Sequence, residues 1–259
     1  MNIVVLVKQV PDTWAERKLS DTDKTLDRAS VDVVMNEIDE YAVEEALRIK
    51  EASGGEVTIL TMGPERAVET IRKALSMGAD KAVHLTDPAL AGSDAVQTSY
   101  ALAKVLGTLE YDLVISGSEA TDSRMAIMTA LLAERTGKPQ LSGARKVTVD
   151  GGSVRIERQT ENGYDVVEAA TPALVSVVEK INEPRYPSFK GIMAAKKKPL
   201  TTWSLADLEL SGDQVGLAAA WTAVDEITAR PPRQAGQVVT DEGDGGNKLV
   251  EYLAGAKLV

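Results

Sequence analysis

The chain has 259 residues, a formal net charge of −10 and no cysteine. These facts exclude disulfides, thiolate metal sites, thiolate-ligated iron–sulfur clusters and cysteine nucleophiles. The acidic balance argues against a general nucleic-acid binder, which carries a basic surface, and no apolar run approaches the roughly 18 residues of a membrane span.

The first half alternates strand and helix. A strand is predicted over residues 3–7. No basic region or cleavage site precedes it, so no signal peptide is expected and the cytoplasm is the expected compartment. Residues 12–36 break the rhythm. Asp21-Thr22-Asp23 reads as a turn, with residues 17–19 and 25–27 as the arms of a small hairpin, and an insertion of this length is often functional. A helix follows over 38–52, with Ile38, Ala42, Ala46 and Ile49 on one face. Next come a strand over 57–61 and a helix over 65–77, opened by Gly63-Pro64 and stopped by Gly78. A strand over 82–85 carries His84, the only histidine. A core or edge histidine is expected there rather than a base, and a multi-histidine metal site is ruled out. Ser93-Asp94 starts a third helix that ends near Gly107. A strand over 113–116 and a helix from Asp122-Ser123 to Gly137-Lys138-Pro139 complete the series. Such alternation implies an α/β fold with a doubly wound, mostly parallel sheet.

After Leu141 the period changes to two. Asp150-Gly151-Gly152 and Glu161-Asn162-Gly163 are hairpin turns. Residues 164–169 and 173–178 are expected to continue an antiparallel set that extends the same sheet. From Thr201 the chain reads as loosening. Arg230-Pro231-Pro232-Arg233 and Asp241-Glu242-Gly243-Asp244-Gly245-Gly246 form a linker, and a helix over 247–258 carries Leu249, Val250 and Leu253 as its apolar stripe. The expected division is an α/β domain over 1–200 and a C-terminal arm over 201–259. On pattern alone, the arm's helix could cover its own domain or another subunit.

In an open parallel sheet, ligands sit at the carboxyl ends of strands, near helix N-termini. Residues 6–8, 36–39, 62–64 and 117–124 would converge there. Ser116-Gly117-Ser118-Glu119-Ala120-Thr121-Asp122-Ser123-Arg124 offers small residues and then a helix start, whose unpaired amides could hold a phosphate. An ordinary cap with nothing bound is the competing reading. There is no G-x-G-x-x-G, P-loop, metal set or nucleophile–base pair, so a carrier or binding protein is expected rather than an enzyme.

Residues 181–198 form the other informative stretch: Ile-Asn-Glu-Pro-Arg-Tyr-Pro-Ser-Phe-Lys-Gly-Ile-Met-Ala-Ala-Lys-Lys-Lys. Phe189 is the only phenylalanine in the chain. A large apolar group in a loop flanked by Arg185, Lys190 and Lys196 to Lys198 reads as a docking element, against the plainer reading of a surface turn and a solvated basic helix end.

Five runs share one likeness. They are Val7-Lys8-Gln9-Val10-Pro11-Asp12; Asn36-Glu37-Ile38-Asp39 with Ala42-Val43-Glu44-Glu45-Ala46; Ile71-Arg72-Lys73-Ala74-Leu75-Ser76-Met77-Gly78-Ala79-Asp80; the hairpin over 154–172 with Arg158, Glu161 and Glu168; and Asn182-Glu183-Pro184-Arg185-Tyr186 with Met193-Ala194-Ala195-Lys196-Lys197-Lys198. Over nearly the whole chain they resemble the electron transfer flavoprotein β-subunit family, in its actinobacterial, non-bifurcating form. The resemblance implies an adenine-nucleotide α-hydrolase-like sheet and a heterodimer with an α subunit that holds most of the FAD. It also implies a structural AMP in this subunit and a C-terminal arm docking on the partner. Carried over by position, the nucleotide shell is Leu6, Asn36, Glu37, Ile38, Asp39, Met62, Gly117, Ser118, Glu119, Ala120, Thr121, Asp122, Ser123, Arg124 and Ile127. A bifurcating branch has an Asp-Gly-Asp-Thr-Ala-Gln-like run where this chain reads Asp122-Ser123-Arg124-Met125-Ala126-Ile127, which favours AMP over a second FAD. Relatives often place Gly and small polar residues where Ser123, Met125 and Ile127 stand, and Arg124 offers a compensating charge. Thr13, beside Trp14, stands where the family often has an aromatic near the flavin.

The docking residues implied are Arg185, Tyr186, Phe189, Ile192, Met193, Lys196 and Lys197. The implied role is to shuttle electrons from acyl-CoA or similar flavin dehydrogenases to a membrane quinone oxidoreductase. Two other classes share a related core. One is an adenine-nucleotide sensor similar to universal stress proteins, whose Gly-rich phosphate motif is not evident. The other is an ATP-cleaving enzyme, whose Ser-Gly-Gly-x-Asp-Ser loop is missing.

Overall fold

The structure, a computed structural model, describes residues 1–228, 230–233, 236 and 238–259. Two compact units emerge, Met1–Ala223 and Val224–Val259.

In the first unit, β1 (Asn2–Leu6) leads through two short strands, β2 (Gln9–Pro11) and β3 (Val33–Met35), into α1 (Glu37–Ser53) and β4 (Glu56–Met62). A single 3₁₀ turn precedes α2 (Val68–Met77), followed by β5 (Lys81–Leu85), α3 (Ala95–Leu106), β6 (Leu113–Gly117) and α4 (Met128–Thr136). Then come β7 (Gln140–Asp150), β8 (Ser153–Thr160), β9 (Gly163–Ala170), β10 (Ala173–Val177), α5 (Phe189–Ala195), β11 (Leu200–Trp203) and the single-turn α6 (Gly216–Ala219).

Among the described residues, one nine-stranded sheet runs β11-β5-β4-β1-β6-β10-β7-β8-β9. It is parallel from β11 to β7 and antiparallel through β8 and β9. The doubly wound α/β expectation and its antiparallel extension both describe this sheet. The central strands read as unbroken aliphatic runs because both faces are covered. Ile3, Val5, Ile59, Ile115 and Val175 pack with Ala42, Val43 and Ile71 from α1 and α2. Val4, Leu6, Leu60, Val114 and Leu174 pack with Leu102, Val105 and Leu132 from α3 and α4.

Three expectations need correction. The strand expected over 173–178 to continue the antiparallel set instead lies between β6 and β7 and pairs parallel with both. A period-two pattern does not reveal which neighbour a strand will choose. The fourth helix starts at Met128, not at Asp122-Ser123. Arg124 and Ala126 adopt φ of 50° and 53°, left-handed backbone that interrupts a helix. The first unit also continues past residue 200. Leu200–Trp203 forms the edge strand against β5, and Leu205, Leu208, Leu210 and Val215 join the core. The small hairpin in the excursion is present as a bridge between Leu19 and Leu26.

The second unit carries α7 (Gly245–Gly255), begun two residues before the expected helix. Its Leu249, Val250 and Tyr252 are exposed. Ala229, Gln234, Ala235 and Gln237 of the expected arm lie outside the described residues. Among the described residues, no helix is long and apolar enough to cross a membrane.

Candidate functional site

The chain leaves β1 for β4 on one side, and β6 lies on the other. That reversal of strand order opens a crevice at the carboxyl ends of the strands. Asp39, in the first turn of α1, spans it. Its carboxylate accepts the Lys8 amide at 2.8 Å and the Gly117 amide at 3.2 Å, tying the ends of β1 and β6 to one side chain. Burial pushes the Asp39 carboxyl up to about 7, against the opposing pull of those amides and Asn36.

A pH dependence follows. Below the ordinary value of 3.8 the carboxyl is protonated whether the chain is folded or not. From there up to about 7 the unfolded chain ionises while the folded one keeps its proton, so this group's contribution weakens as pH rises. Asp39→Asn loses an acceptor at every pH. In urea titrations at several pH values across that window, its stability relative to the unsubstituted protein is expected to improve steadily as pH rises. A constant difference would contradict the assignment.

The same crowding explains Gly117. A Cβ there would lie 2.6 Å from Asp39 Oδ1 and 3.0 Å from Ile38 Cγ2. Gly117→Ala must displace the Asp39 carboxylate, with an expected loss of about 1–3 kcal/mol, the range for overpacking. Urea unfolding measures it, and a loss near zero would contradict the packing.

Asn36 grips the next loop by two bonds. Its amide donates to the Glu119 carbonyl at 2.9 Å and its carbonyl accepts the Thr121 amide at 3.1 Å. Asp122 is gripped harder. Its side chain is 1% exposed, and it takes Lys8 Nζ at 2.9 Å and Arg28 Nη2 at 2.6 Å. Burial alone would raise this carboxyl, but the two cations beside it win and hold it below the usual range. Asp122 therefore does not cap a helix, which is why α4 begins later. Thr129, in the first turn of α4, shares a 3.1 Å hydroxyl pair with Ser116 at the end of β6.

The expected shell is thus divided. Asn36, Asp39, Gly117, Glu119, Thr121 and Asp122 form one bonded network, and Ile38 packs against Gly117. Ser118 bonds back to β10 through its amide, while Leu6 belongs to the core and Met62 is half-buried beside it. The Ala120 carbonyl takes the amides of Ser123 and Arg124. Glu37, Ser123, Arg124, Met125 and Ile127 are exposed. The Thr121 hydroxyl is buried without a hydrogen-bond partner, and the α4 N-terminus has no side-chain cap at Ile127. An orphaned buried hydroxyl and a helix start without a side-chain cap, both in the segment after β6, fit an anionic ligand such as a nucleotide phosphate. Arg124 and Ala126 supply, without glycine, the left-handed backbone that glycine usually provides, and such strain tends to persist at functional sites. Arg28 was not legible in the sequence, since its partner is distant in the chain. The only signal was the length of the excursion that carries it.

His84 is buried, with Nε2 3.1 Å from the Gly63 carbonyl, and burial lowers its imidazole, as expected for a core histidine.

The 181–198 loop has a rigid base and an apolar crown. At the base, Arg185 binds Glu44 at 2.7 and 3.0 Å and Glu51 at 2.5 Å. Burial would raise Glu44, but Arg185 and Arg48 hold it below its usual range. Asn182 donates to the Tyr41 carbonyl and to Glu45, both at 3.0 Å. Ser188 caps α5 through the Gly191 amide at 3.0 Å. A Cβ on Gly191 would sit 2.5 Å from the Ser76 carbonyl, so glycine lets α5 lie on the end of α2. Arg72 binds the Ala195 and Lys198 carbonyls, and Lys198 caps α2 at Leu75 and Ala79. At the crown, Tyr186 is 94% exposed and Phe189 81%, beside exposed Ile192, Met193, Lys196 and Lys197. Of the seven expected docking residues, only Arg185 is turned inward. Hollows of ≈ 320 and ≈ 410 Å³ flank Tyr186. Trp14, on the excursion, is 95% exposed.

Residues 23–208 match the electron transfer flavoprotein domain. An electron transfer flavoprotein subunit beta of Mycobacterium bovis is 57% identical over 100% of this chain and 99% of its own. The protein of that name from Thermoanaerobacterium thermosaccharolyticum is 41% identical, with 98% of each chain covered. The caffeyl-CoA reductase–Etf complex subunit CarD of Acetobacterium woodii is 37% identical over 93% of this chain and 92% of its own. The chain belongs to the electron transfer flavoprotein family, as a β subunit.

Proposed function

We propose that this chain is one half of a cytoplasmic heterodimer, clasping a flavin-bearing α subunit and presenting the 181–198 loop to redox clients. Its donors are acyl-CoA or related flavin dehydrogenases and its acceptor a membrane quinone oxidoreductase. The observation that carries this reading is the crown of Tyr186, Phe189, Ile192 and Met193, exposed on a base pinned by Arg185, Asn182 and Arg72. Exposed aromatics on a rigid support lose little entropy on binding, which suits a small, transient interface with one hot spot. Lys196 and Lys197 add positive charge that steers acidic surfaces.

The α-subunit FAD, when bound, supplies the one-electron chemistry. This chain's residues bind and orient. At the crevice, the Thr121 hydroxyl and the backbone of 123–129 would hold the phosphate of AMP, with Arg124 and Lys8 adding charge. The α7 helix, with exposed Leu249 and Val250, would dock on the α subunit.

Acid denaturation of the co-purified complex, followed by chromatography of the supernatant, tests the nucleotide assignment. About one AMP per complex is expected. No adenine nucleotide in the supernatant would reject it.

A further inference from the structure

The excursion between β2 and β3 is bonded to both lips of the crevice. On the β6 side, Arg28 Nη2 meets the buried Asp122 carboxylate at 2.6 Å. On the β4 side, the Arg28 carbonyl accepts a hydrogen bond from Arg66, in the turn before α2. Since β4 and β6 flank β1, Arg28 spans the crevice mouth above the end of β1. Lys8, from just beyond β1, takes the other Asp122 oxygen and completes the closure.

Polar contacts dominate this attachment. No residue from 12 to 34 is fully buried, and the excursion's own order rests on the Leu19–Leu26 bridge and local turns. A segment with so little apolar anchorage opens at low free-energy cost compared with the core. Through Arg28 the segment reaches a nearly inaccessible charge on another element.

We propose that residues 12–32 form a strap over the nucleotide crevice and that Arg28 is its latch, so that release of Arg28 from Asp122 sets how fast the nucleotide escapes. The inference rests on the nucleotide reading of the crevice. It makes Arg28 a positioning residue, acting on the ligand through the strap.

The test uses the heterodimer loaded with radiolabelled AMP and chased with unlabelled AMP. Arg28→Gln is expected to speed release of label about ten- to hundredfold, the factor for losing one charge-assisted hydrogen bond. Amide exchange over 12–32 should quicken while the flavin spectrum stays the same. Arg66→Gln cuts the opposite anchor and should speed release too, which keeps the proposal testable if Arg28→Gln does not fold. Wild-type release rates in whichever variants fold would overturn the strap and leave the nucleotide site standing. A wild-type complex that retains no label would overturn both.

Discussion

Phe189→Ala is expected to slow electron transfer from a flavin dehydrogenase to the complex while leaving flavin content and thermal stability unchanged. Both halves follow from one number: Phe189 is 81% exposed, so the fold gains little from its ring and loses little without it. A client that buries the ring gains roughly 1.5–3 kcal/mol by area. Losing that weakens docking about ten- to hundredfold. The loss is therefore visible when the carrier is scarce and fades as it saturates the dehydrogenase. Phe189→Leu restores most of the rate. Steady-state kinetics across carrier concentrations measure this, and an unchanged rate at sub-saturating carrier would show that the crown is not the docking surface.

Arg185→Ala is expected to lose stability as well as docking. Arg185 chelates Glu44, whose side chain is 4% exposed, and reaches Glu51 on the same helix face. Without the guanidinium, Glu44 keeps Arg48 and the Arg185 backbone amide, at 3.2 Å, for its buried charge. The expected loss is about 2 kcal/mol, between values for surface pairs and for buried pairs broken on one side, because Arg185 is itself partly exposed. Arg185→Lys recovers little, since an ammonium cannot span two carboxylates as a planar fork does. Urea unfolding gives the stability change and client kinetics the docking change. A variant that docks poorly with full stability would mean that Arg185 touches the client itself.

The contrast between these residues shows what the sequence could disclose. Local chemistry was legible. The strand–helix alternation, the hairpin turns, Asp94 as the cap of α3 and the core placement of His84 all follow from neighbours in the chain. The crown was legible too, because a lone Phe in a Pro-punctuated loop has few reasons to be there. Arg185 looked like part of that crown, and only the fold reveals that it faces Glu44 on α1. Long-range pairing hid the rest. Val175 pairs with β6 and β7 because of where the sheet has a vacancy, and the strand's own residues read equally well beside β9. Asp122 looked like a helix cap because Asp-Ser before an aliphatic run is a common start. Lys8 and Arg28, remote in sequence, drew it elsewhere, and the helix began six residues later. Within the crevice, the sequence named the loop over 117–124 and missed Arg28, which pairs with its Asp122.

If the chain works by embracing a flavoprotein partner, the co-expressed subunits purify together. Size-exclusion chromatography with simultaneous protein and flavin absorbance should give one yellow peak with equal amounts of the two chains and about one FAD per pair. A colourless β subunit eluting apart from a fully flavinated α subunit would contradict the account.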